Sequence, residues 1–155
     1  MLNFDYRGYL KPNKNLASSC AELYDEFVEK FNNTNRHQLY DNYIRYSNDL
    51  KNVCGGIKLI QWVDGSFVTK KDIPKDIDVV TFIEHDVNFD LSNFVYPESI
   101  KKYNIDGYIV KVYPRKHPKI ALYMGDWAYW MDRFDKTRRN RAGNRYPKGF
   151  LEINF

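Results

Sequence analysis

At 155 residues, 43% hydrophobic and 28% charged, the chain is long enough to bury one core without staples and too apolar to be wholly disordered. No apolar run approaches the roughly 18–20 residues of a membrane span, and Met1-Leu2-Asn3-Phe4-Asp5 has neither a basic nor an apolar leader pattern, so a soluble cytoplasmic domain without membrane association is expected. The net charge of +4 gathers near the C-terminus in Arg133, Lys136, Arg138, Arg139, Arg141, Arg145 and Lys148, the footprint either of a phosphate-bearing partner or of a solvated loop.

The opening Phe4-Asp5-Tyr6-Arg7-Gly8-Tyr9-Leu10-Lys11-Pro12 reads as an extended or turning segment, because Gly8 and Pro12 are poor inside any regular element, and no catalysis is placed there. Ser18 or Ser19 can cap a helix in which Leu23, Phe27 and Phe31 recur at helical spacing, with Glu22, Asp25, Glu26 and Glu29 on the other face. Asn32-Asn33-Thr34-Asn35 breaks that pattern. A second helix is predicted from about 36 to 50, with Leu39, Tyr43, Ile44 and Leu50 towards one side. His37, near its start, lacks a nearby His or Cys partner and is read as a surface or capping residue. Residues 18–50 thus form a helical N-terminal part.

Gly55-Gly56 ends the helical half, and the β-branched run 57–63 reads as a strand. A second strand is predicted over about 76–83, stopped by Glu84-His85-Asp86. Leu91, Phe94 and Val95 suggest a short helix ending before Pro97. A third strand covers about 105–113, closed by Pro114 and Pro118, and 120–134 reads as an aromatic helix with Trp127, Trp130 and Phe134 on one face. The basic stretch to Lys148 is expected to be a loop, and 150–155 alternates like a final strand. Helices followed by mixed strands and helices around one sheet, over about 57–155, give a single α+β or α/β domain. Cys20 and Cys54, distant in sequence and outside any C-x-x-C pattern, read as two ordinary thiols.

The stretch from Trp62 to Val80 carries the chemistry. Gly65-Ser66 follows an apolar run, and Asp76-Ile77-Asp78 opens another with its two acids at strand spacing, so both carboxylates project from one face. Two such charges repel by on the order of 4 kcal/mol at 4 Å and an effective dielectric near 20. A divalent cation removes that conflict, and Mg²⁺ (or Mn²⁺) prefers hard oxygen ligands while sharing substrate phosphates. Glycine lets the backbone approach a phosphate, the serine hydroxyl and main-chain N–H groups can bind it, and a following helix start would favour its charge. Together these features describe a nucleoside triphosphate (NTP) held against metal.

A third carboxylate would complete a two-metal site. Glu84 has the right parity, but six residues at about 3.3 Å each place it roughly 20 Å from Asp78. Asp106, at the start of the next predicted strand, is the best candidate.

Gly65-Ser66, Asp76-Ile77-Asp78-Val79 and an acid on a later strand resemble the DNA polymerase β-type nucleotidyltransferase superfamily, especially its minimal (MNT-like) members. Phe4–Leu10, Trp62–Thr69, Val112-Tyr113-Pro114 and Pro147-Lys148-Gly149 together look like the small bacterial and phage DUF6932 family, over nearly the whole chain. The superfamily resemblance implies a nucleotidyltransferase-like mixed sheet flanked by helices. It further implies that Gly65 and Ser66 bind the triphosphate, that Asp76 and Asp78 ligate both metals, and that Asp106 is the third ligand and assists deprotonation of the acceptor. Gly107, directly after Asp106, is a departure, since glycine weakens a strand.

The expected activity is transfer of a nucleoside monophosphate from NTP, such as ATP, to a hydroxyl of RNA, a protein or a small molecule. The superfamily resemblance further implies a setting in a toxin–antitoxin or phage-defence module. The alternative is a catalytically inactive module that holds RNA or a partner protein through the basic C-terminal segment. Lys148, Arg145 and Arg139 are candidate phosphate or acceptor contacts in either case. His85 and His117 are set aside as bases, because metal-assisted transfer does not require histidine and both fall in predicted loops.

Overall fold

Polar caps and glycines set the limits of the N-terminal helices in the computed structural model, which describes residues 2–155. Ser19 Oγ accepts from the Glu22 amide at 3.1 Å and starts α1 (Cys20–Tyr24), which runs on as a wide π turn over Asp25–Glu29. Leu23 and Phe27 are buried as expected, but Glu26 is buried too, between Lys30 and Lys70, and is not on the solvent face. The wide turn and the lysine from the later loop together bring it inwards. The asparagine run expected to break the chain also caps the second helix: Asn33 Oδ1 accepts from the Arg36 amide at 2.8 Å, so α2 (Thr34–Val53) begins earlier and ends later than the sequence pattern suggests. Gly55 and Gly56, at φ of 76° and 80°, end it, and the Gly56 amide donates back to Lys51 O at 2.8 Å.

The N-terminal segment forms a small antiparallel pair, β1 (Asn3–Phe4) and β2 (Leu10–Lys11), followed by β3 (Asn15–Ser18), which no sequence pattern singles out. With β4 (Ile60–Asp64), β5 (Ile77–Glu84), β6 (Ile105–Val112) and β7 (Phe150–Asn154), β3 builds one mixed five-stranded sheet in the order β3-β7-β4-β5-β6. The β3–β7 and β5–β6 pairs are parallel; β7–β4 and β4–β5 are antiparallel. The short helix expected before Pro97 is a single 3₁₀ turn, Ser92–Phe94, and the helix proper, α3 (Glu98–Tyr103), comes after the proline. A missing N–H costs nothing at a helix start, where that group has no intrahelical partner anyway. α4 (Ile120–Phe134) lies where the aromatic pattern predicts, although Trp127 stays 40% exposed while Trp130 and Phe134 are buried.

Both faces of the sheet are covered, so β5 is apolar on both sides. Val63, Ile77, Val79, Ile105 and Leu151 pack with Leu23, Phe27, Leu39, Tyr43 and Leu50 of the N-terminal helices. Trp62, Val80, Phe82 and Val110 point the other way, against Trp130 and Phe134 of α4. Cys20 and Cys54 are free thiols, as expected. Among the described residues no helix is long and apolar enough to cross a membrane.

One buried charge ties the helical half to the segment after β4. The Arg36 side chain is fully buried and is matched by carbonyls: Nη1 donates to Phe27 O at 2.9 Å and Phe67 O at 2.8 Å, and Nη2 to Thr69 O at 3.1 Å and to Lys71 O. Its guanidinium also lies 3.8 Å from the centre of the Phe31 ring. Burial lowers its pKa to about 10, which still leaves it charged at neutral pH. Arg36→Met would strand these carbonyls without a donor at roughly 1–3 kcal/mol each, partly offset by removing a desolvated charge. Urea denaturation should therefore show a loss of about 3 kcal/mol. Arg36→Lys should recover only part of it, because an ammonium offers fewer donors and no planar fork.

Candidate active site

Strand register brings three carboxylates side by side. Asp64 is opposite Asp78 across the antiparallel β4–β5 pair, and Asp78 is opposite Asp106 across the parallel β5–β6 pair. Residues paired in this way project from the same face, so the three form a row on the α4 side of the sheet. Asp76 lies one residue before β5. Its pKa is raised by burial and by the neighbouring Asp106 charge, which places it in the same cluster. Asp76, Asp78 and Asp106, predicted from sequence, are thus brought together. Asp64 joins them unforeseen, although an acid ending an apolar strand immediately before Gly65-Ser66 is a readable signal.

Gly65 is required where it stands. At φ 87° it adopts a backbone that side-chain-bearing residues rarely reach, and a Cβ there would lie 2.1 Å from Asp78 Oδ2. Ser66–Val68 then makes one 3₁₀ turn, closed by a 2.7 Å hydrogen bond from Thr69 Oγ1 to Ser66 O. The expected helix start is therefore absent, and any phosphate here would meet the serine hydroxyl and local N–H groups without a helix dipole behind them. Gly107 also has a reason: a Cβ would lie 2.5 Å from Phe94 O and 2.8 Å from Tyr46 Oη, and its own amide donates to Ser99 Oγ at 3.1 Å. The glycine that looked like a weakness lets the 3₁₀ turn and α3 press directly on the back of β6.

Asp64, Asp76 and Asp78 line a cleft of about 730 Å³, and Asp106 stands behind them, in register with Asp78. Its walls are basic, and include Lys71, Lys75, Arg133, Arg138 and Arg145. Arg7 and Tyr9 contribute as well, so the N-terminal segment, given no role from sequence, forms part of the wall. The Arg7 guanidinium is held 4.1 Å from the Tyr146 ring centre, joining that segment to the basic loop. Lys148, predicted as a phosphate contact, lines the cleft but is mostly buried: its ammonium pairs with Asp64, and its amide donates to Asp135 O at 2.9 Å. Arg138, largely exposed, reaches to 3.6 Å from Asp78 Oδ1. Arg139 turns to the loop itself, donating to Gly143 O at 3.0 Å.

Asp78 has its pKa pushed up to about 7 by burial first, then by the charges of Asp64, Asp106 and Asp76, against the weaker pull of Arg138. Burial also raises Asp64, with Lys148 opposing it. Asp106 Oδ1 is buried without a hydrogen-bond partner. His85 and His117 stand apart from this cleft, ring to ring at 4.7 Å and beside Tyr113. Glu84 pairs with Val112 at the far end of β5, roughly 20 Å from Asp78 by strand rise.

The family model named DUF6932, described as a family of unknown function, matches residues 2–154. The chain belongs to this DUF6932 family. No curated protein and no solved structure matches it.

The acid row of this DUF6932 chain fits a hard divalent cation in two respects: like charges stand in register, and Asp106 offers a buried oxygen with no partner. Among the described residues, no three His, Cys, Asp or Glu side chains converge closely enough to hold a metal unaided. One or two carboxylates with other oxygens completing the shell is a coordination that Mg²⁺ commonly accepts.

The raised pKa of Asp78 sets a pH dependence for the cation-free protein. The folded state holds this proton more tightly than the unfolded state does, so the stability it brings is fully present below the ordinary value of 3.8 and is lost as pH rises towards about 7. Asp78→Asn removes the penalty. Thermal melts in a chelator should show the variant more stable than the parent at pH 8, by on the order of 1–2 kcal/mol, and no more stable at pH 4.

Proposed function

We propose that this protein is a Mg²⁺-dependent nucleotidyltransferase of the polymerase β type, moving a nucleoside monophosphate from an NTP to a hydroxyl. The observation that carries this reading is Asp78 beside Gly65-Ser66 inside a cleft with basic walls, in register with Asp106 on the neighbouring strand. An acidic floor under basic walls is an unusual distribution of charge. It suits a ligand that brings both a cation and several phosphates.

In this reading Asp76, Asp78 and Asp106 would hold the cations by one or two carboxylates each, with triphosphate oxygens completing the coordination, and the cations would neutralise the triphosphate and make the acceptor hydroxyl more acidic. Gly65 admits the phosphate chain close to the backbone, and Ser66 donates to it. Lys71, Lys75 and Arg138 bind the outer phosphates and stabilise charge on the departing pyrophosphate. The acceptor oxygen attacks the α-phosphorus; that P–O bond forms as the bond to the bridging oxygen breaks, and pyrophosphate leaves. Asp106 takes the acceptor proton. Lys148 keeps Asp64 paired, so this fourth carboxylate does not add its full charge to the row.

The second reading, a catalytically silent module that binds RNA or a protein, draws on one observation: Lys148 and Arg138 already stand against Asp64 and Asp78, as internal counter-ions would. Incubation with Mg²⁺ and α-labelled NTPs separates the two. Transfer of label to RNA, protein or a small molecule is expected, and Asp76→Ala combined with Asp78→Ala should reduce it at least about 100-fold. Labelling that is absent throughout, or unchanged in the double variant, would leave the silent module as the better reading.

A further inference from the structure

A second groove lies on the same face of the sheet, at the end opposite the acids. The C-terminal half of α4 covers the middle of that face, where Trp130 and Phe134 pack with Trp62, Val80 and Phe150. The N-terminal half contributes Tyr123 and Trp127 to an open groove of about 490 Å³, to which Trp62 and Phe82 also contribute. Trp127 meets Trp62 edge-on, with ring centres 5.7 Å apart, and remains 40% exposed. The groove therefore has aromatic walls, one of them available to a ligand.

Its charge is opposite to that of the first cleft. Glu84, Asp86 and Glu152 line it against one base, Lys58, in a chain whose net charge is +4. Glu152 is fixed: its Oε2 accepts from Trp62 Nε1 at 2.8 Å and from Asn15 Nδ2 at 2.7 Å. Glu84 and Glu152 are not neighbours. Trp62 is in register with Glu152 on one side and Val80 on the other, so Glu84 lies two strands across and four residues further along. At about 4.8 Å per strand and 3.3 Å per residue, that separates the two backbones by roughly 16 Å. Carboxylates this far apart do not share one metal ion. Both act on the Tyr123 phenol between them, which is pushed up first by its burial and then by Glu84 and Glu152.

Two anionic ends joined by an aromatic wall suit a long cation with charge at each end and an apolar stem between. We propose that this groove binds a linear alkyl polyamine, its terminal ammonium groups paired with Glu84 and Glu152 and its chain lying along Trp127 and Tyr123. Aromatic faces attract ammonium groups and pack with methylenes, whereas an anion would meet three carboxylates. The site uses none of the residues assigned to nucleotidyl transfer.

The test is titration of the full chain with spermine, followed by tryptophan fluorescence and by calorimetry. Saturable one-to-one binding is expected, with Trp127→Ala and Glu84→Gln each weakening it by roughly tenfold. Both residues are exposed enough for the variants to fold, which circular dichroism would verify. Asp78→Asn should leave the affinity unchanged, because that acid is at the other end of the sheet. A neutral diol of equal length should not bind. Absence of saturable spermine binding would overturn the proposal. So would equal affinity for the diol, or binding that survives Glu84→Gln and is lost in Asp78→Asn.

Discussion

Three carboxylates in register across adjacent strands are the constraint that the surrounding structure answers. Unscreened, neighbours in such a row repel by several kcal/mol, and burial makes each charge less favourable still. The compensation comes from far along the chain. The segment between α4 and β7 carries Lys148 to Asp64 and Arg138 towards Asp78, and it is anchored at its base by the bridge between Lys136 and Pro147. The basic cluster is therefore part of the site's electrostatics rather than a tail attached to it. Without these cations the row would be relieved by protonation or by a bound metal ion, and burial with the neighbouring acids already pushes the Asp78 pKa up.

Charges held against their repulsion need a stiff support, and the opposite face of the sheet supplies one. Behind β4 and β5, Gln61 Oε1 accepts from Tyr43 Oη at 2.8 Å and Ser47 Oγ at 3.0 Å, while its amide donates to Thr81 Oγ1 at 3.2 Å. This network fixes α2 against both strands. Behind β6, Ser99 and the bare backbone of Gly107 let α3 sit directly on the strand. Arg36 fixes the remaining variable, the path of the chain from Phe67 to Lys71 after the glycine turn. This loop is thus held from behind by a cation whose hydrogen bonds go to backbone carbonyls, with the Asp72 charge attracting it as well. Carbonyl oxygens of Phe27, Phe67, Thr69, Lys71 and Asp72 are its hydrogen-bond acceptors.

The parts of this arrangement that are legible in sequence are those set by local period or by single-residue geometry. Two acids at strand spacing, a Gly-Ser turn and the aromatic repeat of α4 can all be read without tertiary information. Arithmetic on strand rise excludes Glu84 by distance, and Asp106 is then the acid that opens the next predicted strand. What escapes is set by pairing between distant segments. Asp64 acquires its place only through the register of β4 with β5, and the pairing of Lys148 with it cannot be read from a basic stretch 84 residues later. Helical period assigns Glu26 to solvent, but a π turn alters that period and a lysine from another segment overrides it. Gly107 reads as a defect because the atoms it makes room for, Phe94 O and Tyr46 Oη, come from elsewhere in the chain.

The α4 face of the sheet is divided by its aromatic centre into two ends of opposite character. Trp62 is the divider: it packs on Phe82 and Phe150 and holds Glu152 through its indole N–H, while Asp64, two residues along the same strand, opens the acid row. β4, β5 and α4 each contribute to both clefts. With α4 placing Arg133 and Phe134 at one and Tyr123 and Trp127 at the other, the two sites share a rigid axis yet no side chain. A divalent cation and a long organic cation are both attracted to carboxylates, so what separates them is geometry. At one end the acids stand opposite each other on neighbouring strands, where a compact ion with phosphate oxygens can join them. At the other they lie roughly 16 Å apart by strand spacing, beyond the reach of any single ion and within that of a chain carrying charge at both ends.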